Sequence, residues 1–165
     1  MAASGSFVIR PAVEADTSLL SRFIHELAEY EKLSHEAIVP EKLLRESLFG
    51  KLPSAYAIIG EHDSKPVSFA IYFFNFSTFL SRRGLYLEDL YVKPEMRGHG
   101  FGKQLLVHLA KIARDNECGR FEWAVLDWNE PAIGFYKKLG AKPQDEWTVF
   151  RLERDGIERL AVSEK

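Results

Sequence analysis

The sequence has 165 residues, of which 46% are hydrophobic and 28% charged, and its formal net charge is -2. This length suits one domain that buries roughly two thirds of its unfolded surface, and the charge argues against a nucleic-acid partner. A single cysteine, Cys118, excludes an internal disulfide, and five scattered histidines give no zinc-ligand spacing. Without a signal peptide at residues 1–6 or a run of about 18 apolar residues, we expect a cytoplasmic protein with no metal and no membrane contact.

The first half of the chain predicts a strand, two helices and a hairpin. Residues 7–10 form the strand, and Asp16 can cap a helix whose apolar residues share one face: Leu19, Leu20, Phe23, Ile24 and Leu27. A second helix begins near Pro40 and ends at Gly50. Residues 55–59 and 67–76 predict two strands joined by a turn. The second strand is apolar on both faces, so residues 71–76 are either doubly covered core or partly a subunit interface.

The second half predicts strands alternating with helices. A strand that begins at Gly84 leads into a glycine-rich loop and a helix ending near Gly119. A strand at 121–126 precedes a helix that Asn129 caps, with Pro131 in its first turn and Gly140 past its end. Residues 147–152 predict a last strand, and residues 153–165 a short closing helix or a frayed tail. The pattern indicates an α/β domain over residues 1–165, with a mixed sheet and helices on both faces.

The loop at residues 97–102 is suited to phosphate. Glycines at 98, 100 and 102 let several N–H groups point at one spot, next to the positive end of a helix dipole. A Walker loop is excluded by Arg97 and Gln104, and the dinucleotide fingerprint is disfavoured by Lys103. A glycine-rich turn that binds nothing is the alternative, although three alternate glycines carry an entropic cost.

Residues 97–102, Arg-Gly-His-Gly-Phe-Gly, resemble the Arg/Gln-x-x-Gly-x-Gly/Ala pyrophosphate loop of the GNAT superfamily of acetyl-CoA-dependent N-acetyltransferases. Residues 85–92, 128–131 and 135–137, with the opening residues 7–12 and 26–31, are similar to the spermidine/spermine (diamine) acetyltransferase family, nearly along the whole chain. Residues 77–78 and 125–129 look more like its thialysine N-acetyltransferase branch. The resemblance implies a single-domain GNAT fold, with a mostly antiparallel sheet that splays open at its central strands.

The resemblance also implies how acetyl-CoA is held. The backbone amides of residues 98–103 would hold the pyrophosphate, and residues 90–92 would pair with the pantetheine arm, with the amide of Leu90 stabilising the oxyanion. Asn129 would hydrogen-bond the pantetheine, cap its helix, or do both. The implied cofactor-binding set is Leu90, Tyr91, Val92, Arg97, Gly98, His99, Gly100, Phe101, Gly102, Lys103, Asn129 and Tyr136.

Two residues are the candidate catalytic groups. An alkyl ammonium must lose a proton before it attacks, which costs more than about 4 kcal/mol at pH 7. Strand alternation places Glu88 on the same face as Leu90 and Val92, which suits a base, a water relay or an amine-binding group, with a structural salt bridge as the alternative. Tyr136 has the family position of the general acid that protonates the thiolate, although its helical spacing also fits core packing.

An amine pocket is implied by acidic and aromatic residues. Tyr30, Glu31, Glu122 and Trp123 fall where that family lines the pocket, and such groups attract a cation. Asp89 lies on the opposite strand face from Glu88 and has either a structural or a substrate-binding role. Thr78 and Leu80 replace an acid and a tryptophan of the polyamine-specific members, which indicates a shorter or less charged amine.

The expected function is direct transfer of acetyl from acetyl-CoA to a primary amine of a small diamine, polyamine or thialysine-like amino acid, in a ternary complex. The resemblance also implies a homodimer. The alternatives are an acetyltransferase for protein or antibiotic amines, which predicts a wide open groove, and a non-catalytic acyl-CoA sensor, which predicts loss of the catalytic groups.

Overall fold

The computed structural model describes residues 5–163, and the chain divides into two compact units, one ending at Leu126 and one beginning at Asp127. The strands are β1 (Phe7–Pro11), β2 (Tyr56–His62), β3 (Lys65–Ser77), β4 (Arg82–Val92) and β5 (Arg120–Trp123). The helices are α1 (Thr17–Tyr30), α2 (Glu41–Phe49), α3 (Phe101–Asp115), α4 (Glu130–Lys138) and α5 (Arg154–Ala161). None of the described helices is long and apolar enough to span a membrane. One domain over the whole chain stays a prediction.

All five strands belong to one sheet of the first unit, in the order β1-β2-β3-β4-β5. The first three pairs are antiparallel, and β4 pairs with β5 in parallel. Antiparallel neighbours need only short turns, as between β2 and β3, whereas the parallel pair is joined through the long crossover that contains α3. The predicted mixed, mostly antiparallel sheet is therefore confirmed.

Helices cover both faces of this sheet. On one face, here called the α1 face, α1 and α2 pack against alternate residues of β2, β3 and β4 in a core of Leu20, Phe23, Leu27, Leu48, Ala57, Ile59, Phe69, Ile71 and Tyr91. On the other, the α3 face, the start of α3 lies over Leu90 and Val92, since a Cβ at Gly102 would be 3.9 Å from both side chains. The predicted apolar stripe of α3 is buried, including Leu105 and Leu109.

The second unit contains α4 and α5. Asn129 caps α4, its Oδ1 accepting a hydrogen bond from the amide of Ala132 at 3.4 Å, and Pro131 lies in the first turn. Gly140 follows the helix with φ +89°, a conformation that favours glycine. These local signals are confirmed, and α5 is the predicted closing helix.

Two strand predictions need correction. Residues 147–152 form no strand in the described chain, and Val149 and Phe150 are 86% and 93% exposed. Their apolar composition favours a strand, but strand structure requires a paired backbone, and no ladder of the described sheet includes them. The strand predicted at 121–126 is the shorter β5, because its pairing with β4 ends at Trp123.

Two side-chain predictions are also corrected. Asp16 precedes α1 but does not cap it, since its carboxylate accepts hydrogen bonds from Arg10 at 2.7 and 3.0 Å and from the amide of Val13 at 2.8 Å. For residues 71–76, core packing holds at Ile71 and Tyr72 but not at Phe76, which is 62% exposed and where the subunit-interface alternative stays a prediction. The strand continues past the helices that cover its middle.

Candidate active site

A β-bulge interrupts β4 at Glu88. Ile71 of β3 pairs with Asp89, and the next residue, Tyr72, pairs with Leu87, so Glu88 is an extra residue without a partner in the ladder. The regular alternation expected from the sequence therefore stops here. Leu90 and Val92 do share the α3 face, and Asp89 lies on the α1 face, but Glu88 sits at the kink between the two registers and is exposed.

Beyond this bulge, one edge of β4 is open. The parallel pairing of β4 with β5 runs from Gly84 to Leu87, and within the described residues it does not continue to Glu88 and beyond. The backbone of the following residues thus presents hydrogen-bonding groups on the β5 side. The pairing of β4 with the edge strand β5 thus ends directly beside Glu88, and this gap is called the opening below, whereas a splay at the central strands stays a prediction.

The glycine loop lies at the end of this open edge. Gly98 and Gly100 have φ values of +80° and +82°, in the left-handed region that glycine adopts without strain. Gly100 directly precedes α3, whose first amides, at Phe101, Gly102 and Lys103, have no partner within the helix. These amides and the positive helix end form a site suited to phosphate oxygens.

Side chains of the loop anchor it to the rest of the first unit. Phe101 is buried, and its ring stacks on Phe7 with centroids 4.1 Å apart and on His99 at 5.7 Å. Nε of Arg97 donates a hydrogen bond to the carbonyl of Val92 at 3.0 Å. The side chain of Phe101, a predicted cofactor-binding residue, therefore serves packing. Only the backbone amide of Phe101 is left for binding a cofactor.

Tyr91 and Tyr30 both contact Arg97. The Arg97 guanidinium lies 4.3 Å from the centroid of the Tyr30 ring and 5.9 Å from that of Tyr91. Tyr91 is buried on the α1 face and its hydroxyl donates a hydrogen bond to Glu26 at 2.7 Å. Burial and this carboxylate raise the pKa of Tyr91 far above its ordinary value. The side chain of Tyr91 is thus structural, although its backbone belongs to the open edge.

Three predicted carboxylates gather on the α1 side of the opening. Burial, together with the negative charges of Glu88 and Glu31, raises the pKa of Asp89 to about 6. Burial also raises the pKa of Glu31, at the end of α1. The structure therefore brings Glu31, Glu88 and Asp89 into one electrostatic group that favours a cation.

The two predicted pocket residues of β5 point to opposite faces. Glu122 pairs with Tyr86 and lies on the α1 face, whereas Trp123 pairs with Leu87 on the α3 face, where its ring contacts Phe121 at 5.0 Å. Glu122 also forms an ion pair with Nε of Arg120 at 2.9 Å. A pocket on the α1 face includes Glu122 but not the Trp123 ring.

The remaining predicted residues belong to the second unit. Tyr136 is half-buried on α4, where its ring lies 5.5 Å from that of Phe135. Asn129 is 8% exposed and acts as the helix cap. Their roles toward acetyl-CoA stay predictions from the family resemblance.

Three features of the site were not found from the sequence. The bulge at Glu88 depends on the register of β3 with β4, which no local signal reveals. The contacts of Arg97 with Tyr30 and of Tyr91 with Glu26 join residues about 65 positions apart. Arg120 could have been suspected, because alternation places it on the same face as Glu122.

Comparison with known proteins agrees with this geometry. The model of the Acetyltransferase (GNAT) family matches residues 23–141. A thialysine N-epsilon-acetyltransferase of Sus scrofa is 41% identical over 94% of this chain and 98% of its own, and an L-ornithine N5-acetyltransferase of Arabidopsis thaliana is 28% identical over 92% and 86%. The structure of an integron cassette protein from V. cholerae, 30% identical, covers 96% of this chain and 99% of its own with a TM-score of 0.79. The chain belongs to the GNAT family of acetyltransferases.

Proposed function

We propose that this protein transfers acetyl directly from acetyl-CoA to a primary amine of a small diamine, polyamine or thialysine-like amino acid. The observation that carries the proposal is the opening of the sheet beside Glu88. The glycine loop, which is suited to phosphate, leads into the start of α3 over Leu90 and Val92 on the α3 side, and a group of carboxylates lies on the α1 side. An anionic acyl donor and a cationic acceptor would thus meet at one place from opposite faces.

The residues of the first unit fit acetyl-CoA as a substrate. The amides at the start of α3 would bind the pyrophosphate, and the open edge from Leu90 to Val92 would pair with the pantetheine. Gly102 supports this placement. Its helical conformation does not require glycine, and a Cβ would meet only ordinary contacts at 3.9 Å, so its small size serves the approach of a ligand rather than the fold.

The carboxylates fit the amine. Glu31, Glu88 and Asp89 would attract an ammonium group to the opening, and the exposed Glu88 would accept its proton, directly or through water. The neutral amine then attacks the thioester carbonyl carbon, and the amide of Leu90 stabilises the developing oxyanion. As the C–S bond breaks, Tyr136 supplies the proton to the sulfur, a role that rests on the family motif.

The relatives support a small amine with a charged end. Those from Sus scrofa and Bos taurus are named thialysine N-epsilon-acetyltransferases, and the plant relative is named for L-ornithine. Both named substrates are amino acids that carry a second amine. We propose the same class of acceptor for this chain.

Two further expectations accompany this function. We propose a homodimer, to which the exposed apolar end of β3 around Phe76 would contribute. We also propose a cytoplasmic location, on the grounds of the single cysteine and the absence of paired zinc or disulfide spacings.

The test is acetyl-CoA turnover, followed by thiol release, with a panel of thialysine, ornithine, diamines, polyamines, an aminoglycoside and a lysine peptide. We expect turnover with the small amines, and a loss of about 10²- to 10⁴-fold in kcat for Tyr136→Phe. If the protein acetylates the peptide or the aminoglycoside in preference to the small amines, the proposed substrate class is wrong. Saturable coenzyme A binding without any turnover would overturn the function.

A further inference from the structure

We propose that Arg120 and Glu122 form a clamp for the α-carboxylate and α-ammonium of an amino-acid substrate whose distal amine is acetylated beside Glu88. This inference rests on the proposed function and specifies which end of the acceptor the protein recognises. Arg120 is not among the residues proposed to bind acetyl-CoA or the distal amine, yet its Nε lies 2.9 Å from the Glu122 carboxylate.

Arg120 lies close over strand β4. It pairs with Gly84 of β4, and a Cβ on Gly84 would lie 2.9 Å from Cγ of Arg120 and 2.4 Å from Oδ1 of Asn75. Glycine is therefore needed at this position to let the arginine side chain lie close over the strand. The guanidinium is held on the α1 face, where Nη2 also approaches the carbonyl of Phe76 at 3.5 Å.

The rings of Tyr86 and Phe73 form an apolar surface next to Arg120 and Glu122. Tyr86 lies on the same face of β4 as Gly84, two residues nearer the bulge. Its ring centroid is 5.2 Å from that of Phe73. Both rings are half-buried, so they present an apolar surface on which methylene groups can lie. The charges of Glu88 and Glu122 both raise the pKa of the Tyr86 phenol, after the larger effect of burial. The two carboxylates thus flank Tyr86.

The separation of Tyr86 and Glu88 matches the length of a lysine-like side chain. Tyr86, which pairs with Glu122, precedes Glu88 by two strand residues, or about 7 Å. An extended chain of five bonds, as between the α-carbon and the terminal nitrogen of a lysine-like amino acid, spans about 6 Å. A substrate lying along Tyr86 would therefore place its zwitterionic end at the clamp and its distal amine at the carboxylates around Glu88.

The charges of Arg120 and Glu122 complement those of an amino-acid zwitterion. A guanidinium binds a carboxylate through two parallel hydrogen bonds, and Glu122 attracts an ammonium. Both side chains of the clamp are 36% exposed, and an ion pair this accessible contributes little to stability. A substrate zwitterion can therefore replace the contacts between Arg120 and Glu122 with two of its own. A diamine lacks the carboxylate and would leave the guanidinium without its anionic ligand.

The experiment uses a matched pair of acceptors, S-(2-aminoethyl)-L-cysteine and bis(2-aminoethyl) sulfide, which differ in the carboxylate. Their kcat/KM values are measured with the wild type, Arg120→Gln, Arg120→Lys and the control Arg114→Gln. Arg114 is an exposed residue of α3 paired with Asp115. We expect Arg120→Gln to lower the ratio of amino-acid to diamine kcat/KM at least tenfold, mainly through KM, with an intermediate effect of Arg120→Lys and none of Arg114→Gln.

The outcomes separate the clamp from the function on which it rests. If the wild type acetylates both compounds and Arg120→Gln leaves their ratio unchanged, the clamp is wrong and the function stands. If the wild type acetylates neither compound nor any other amine, the proposed function fails and the clamp with it. The measured quantity is the ratio of the kcat/KM values for the two substrates. A general loss of folded protein lowers both values equally, so it cannot produce the expected change in their ratio.

Discussion

The guanidinium of Arg97 stacks on the ring of Tyr30, with its central carbon 4.3 Å from the ring centroid. This contact joins the last turn of α1 to the first residue of the glycine loop. Since α1 continues into Glu31 and the loop precedes α3, the elements proposed to hold the amine and the acetyl-CoA share one contact.

Replacing Arg97 with lysine tests that connection. Lysine keeps the charge but loses the planar stacking on Tyr30 and the hydrogen bond from Nε to the Val92 carbonyl. We expect Arg97→Lys to raise the KM for acetyl-CoA several-fold and to lower the free energy of unfolding by about 1 kcal/mol. Steady-state kinetics and urea denaturation measure both, with Arg114→Lys as the control. Kinetics and stability that match the control would contradict the anchoring role.

The hydroxyl of Tyr91 gives a second prediction. Tyr91→Phe removes the hydrogen bond to Glu26 and leaves the carboxylate without its buried donor, which we expect to cost about 1–3 kcal/mol of stability. The raised pKa of Tyr91 keeps the hydroxyl protonated, so the loss should be constant from pH 7 to 9. Urea denaturation measures it, and Tyr56→Phe, on a 44% exposed tyrosine, is the control. Equal effects of the two substitutions would show that the hydroxyl of Tyr91 contributes nothing.

Asp89 gives a prediction that depends on pH. Its pKa in the folded protein is about 6, against an ordinary value of 3.8, so the folded state holds the proton more tightly than the unfolded state. Between these values the unfolded state binds fewer protons, and stability falls as the pH rises. We therefore expect Asp89→Asn to increase the free energy of unfolding at pH 7 by up to about 3 kcal/mol, with the difference vanishing below about pH 4.

Denaturation of the wild type and Asp89→Asn from pH 4 to 8 measures this difference, and Asp115→Asn, on the exposed partner of Arg114, is the control. The same variant should bind the amine more weakly at pH 7, because it removes a charge that attracts ammonium. A destabilised Asp89→Asn protein at pH 7 would mean that the carboxylate is a structural group.

Two glycines of the loop should respond in opposite ways to alanine. Gly100 has φ +82°, so Gly100→Ala strains the backbone and should cost roughly 1–2 kcal/mol of stability. Gly102 lies in the first turn of α3, where alanine is the better helix former. Gly102→Ala should therefore fold with equal or greater stability and yet bind acetyl-CoA at least tenfold more weakly. Denaturation and calorimetric titration separate the two effects, and unimpaired acetyl-CoA binding by Gly102→Ala would remove this glycine from the proposed site.

Local signals predicted much of the fold, because they act over a few residues. The apolar spacing of α1 and α3 and the capping of α4 by Asn129 are of this kind. The strand predicted at 147–152 was wrong. Its apolar residues favour a strand, but a strand also needs a neighbouring strand to pair with, which the local sequence does not specify. The same limit applies to the site. The acidic residues were predicted by resemblance and by strand alternation, but the bulge at Glu88 and the approach of Arg120 to Gly84 depend on strand register.

The central claim is that acetyl passes directly from acetyl-CoA to the amine at the opening of the sheet. Mass spectrometry of a single turnover tests it most directly, with acetyl-CoA, S-(2-aminoethyl)-L-cysteine and an excess of enzyme quenched at successive times. Direct transfer predicts that one acetyl group appears on the distal nitrogen of the amino acid as the thiol of coenzyme A is released, with no acetylated protein at any time. Acetylated protein that forms before the product, or acetyl-CoA that stays intact beside the bound amine, would contradict the account.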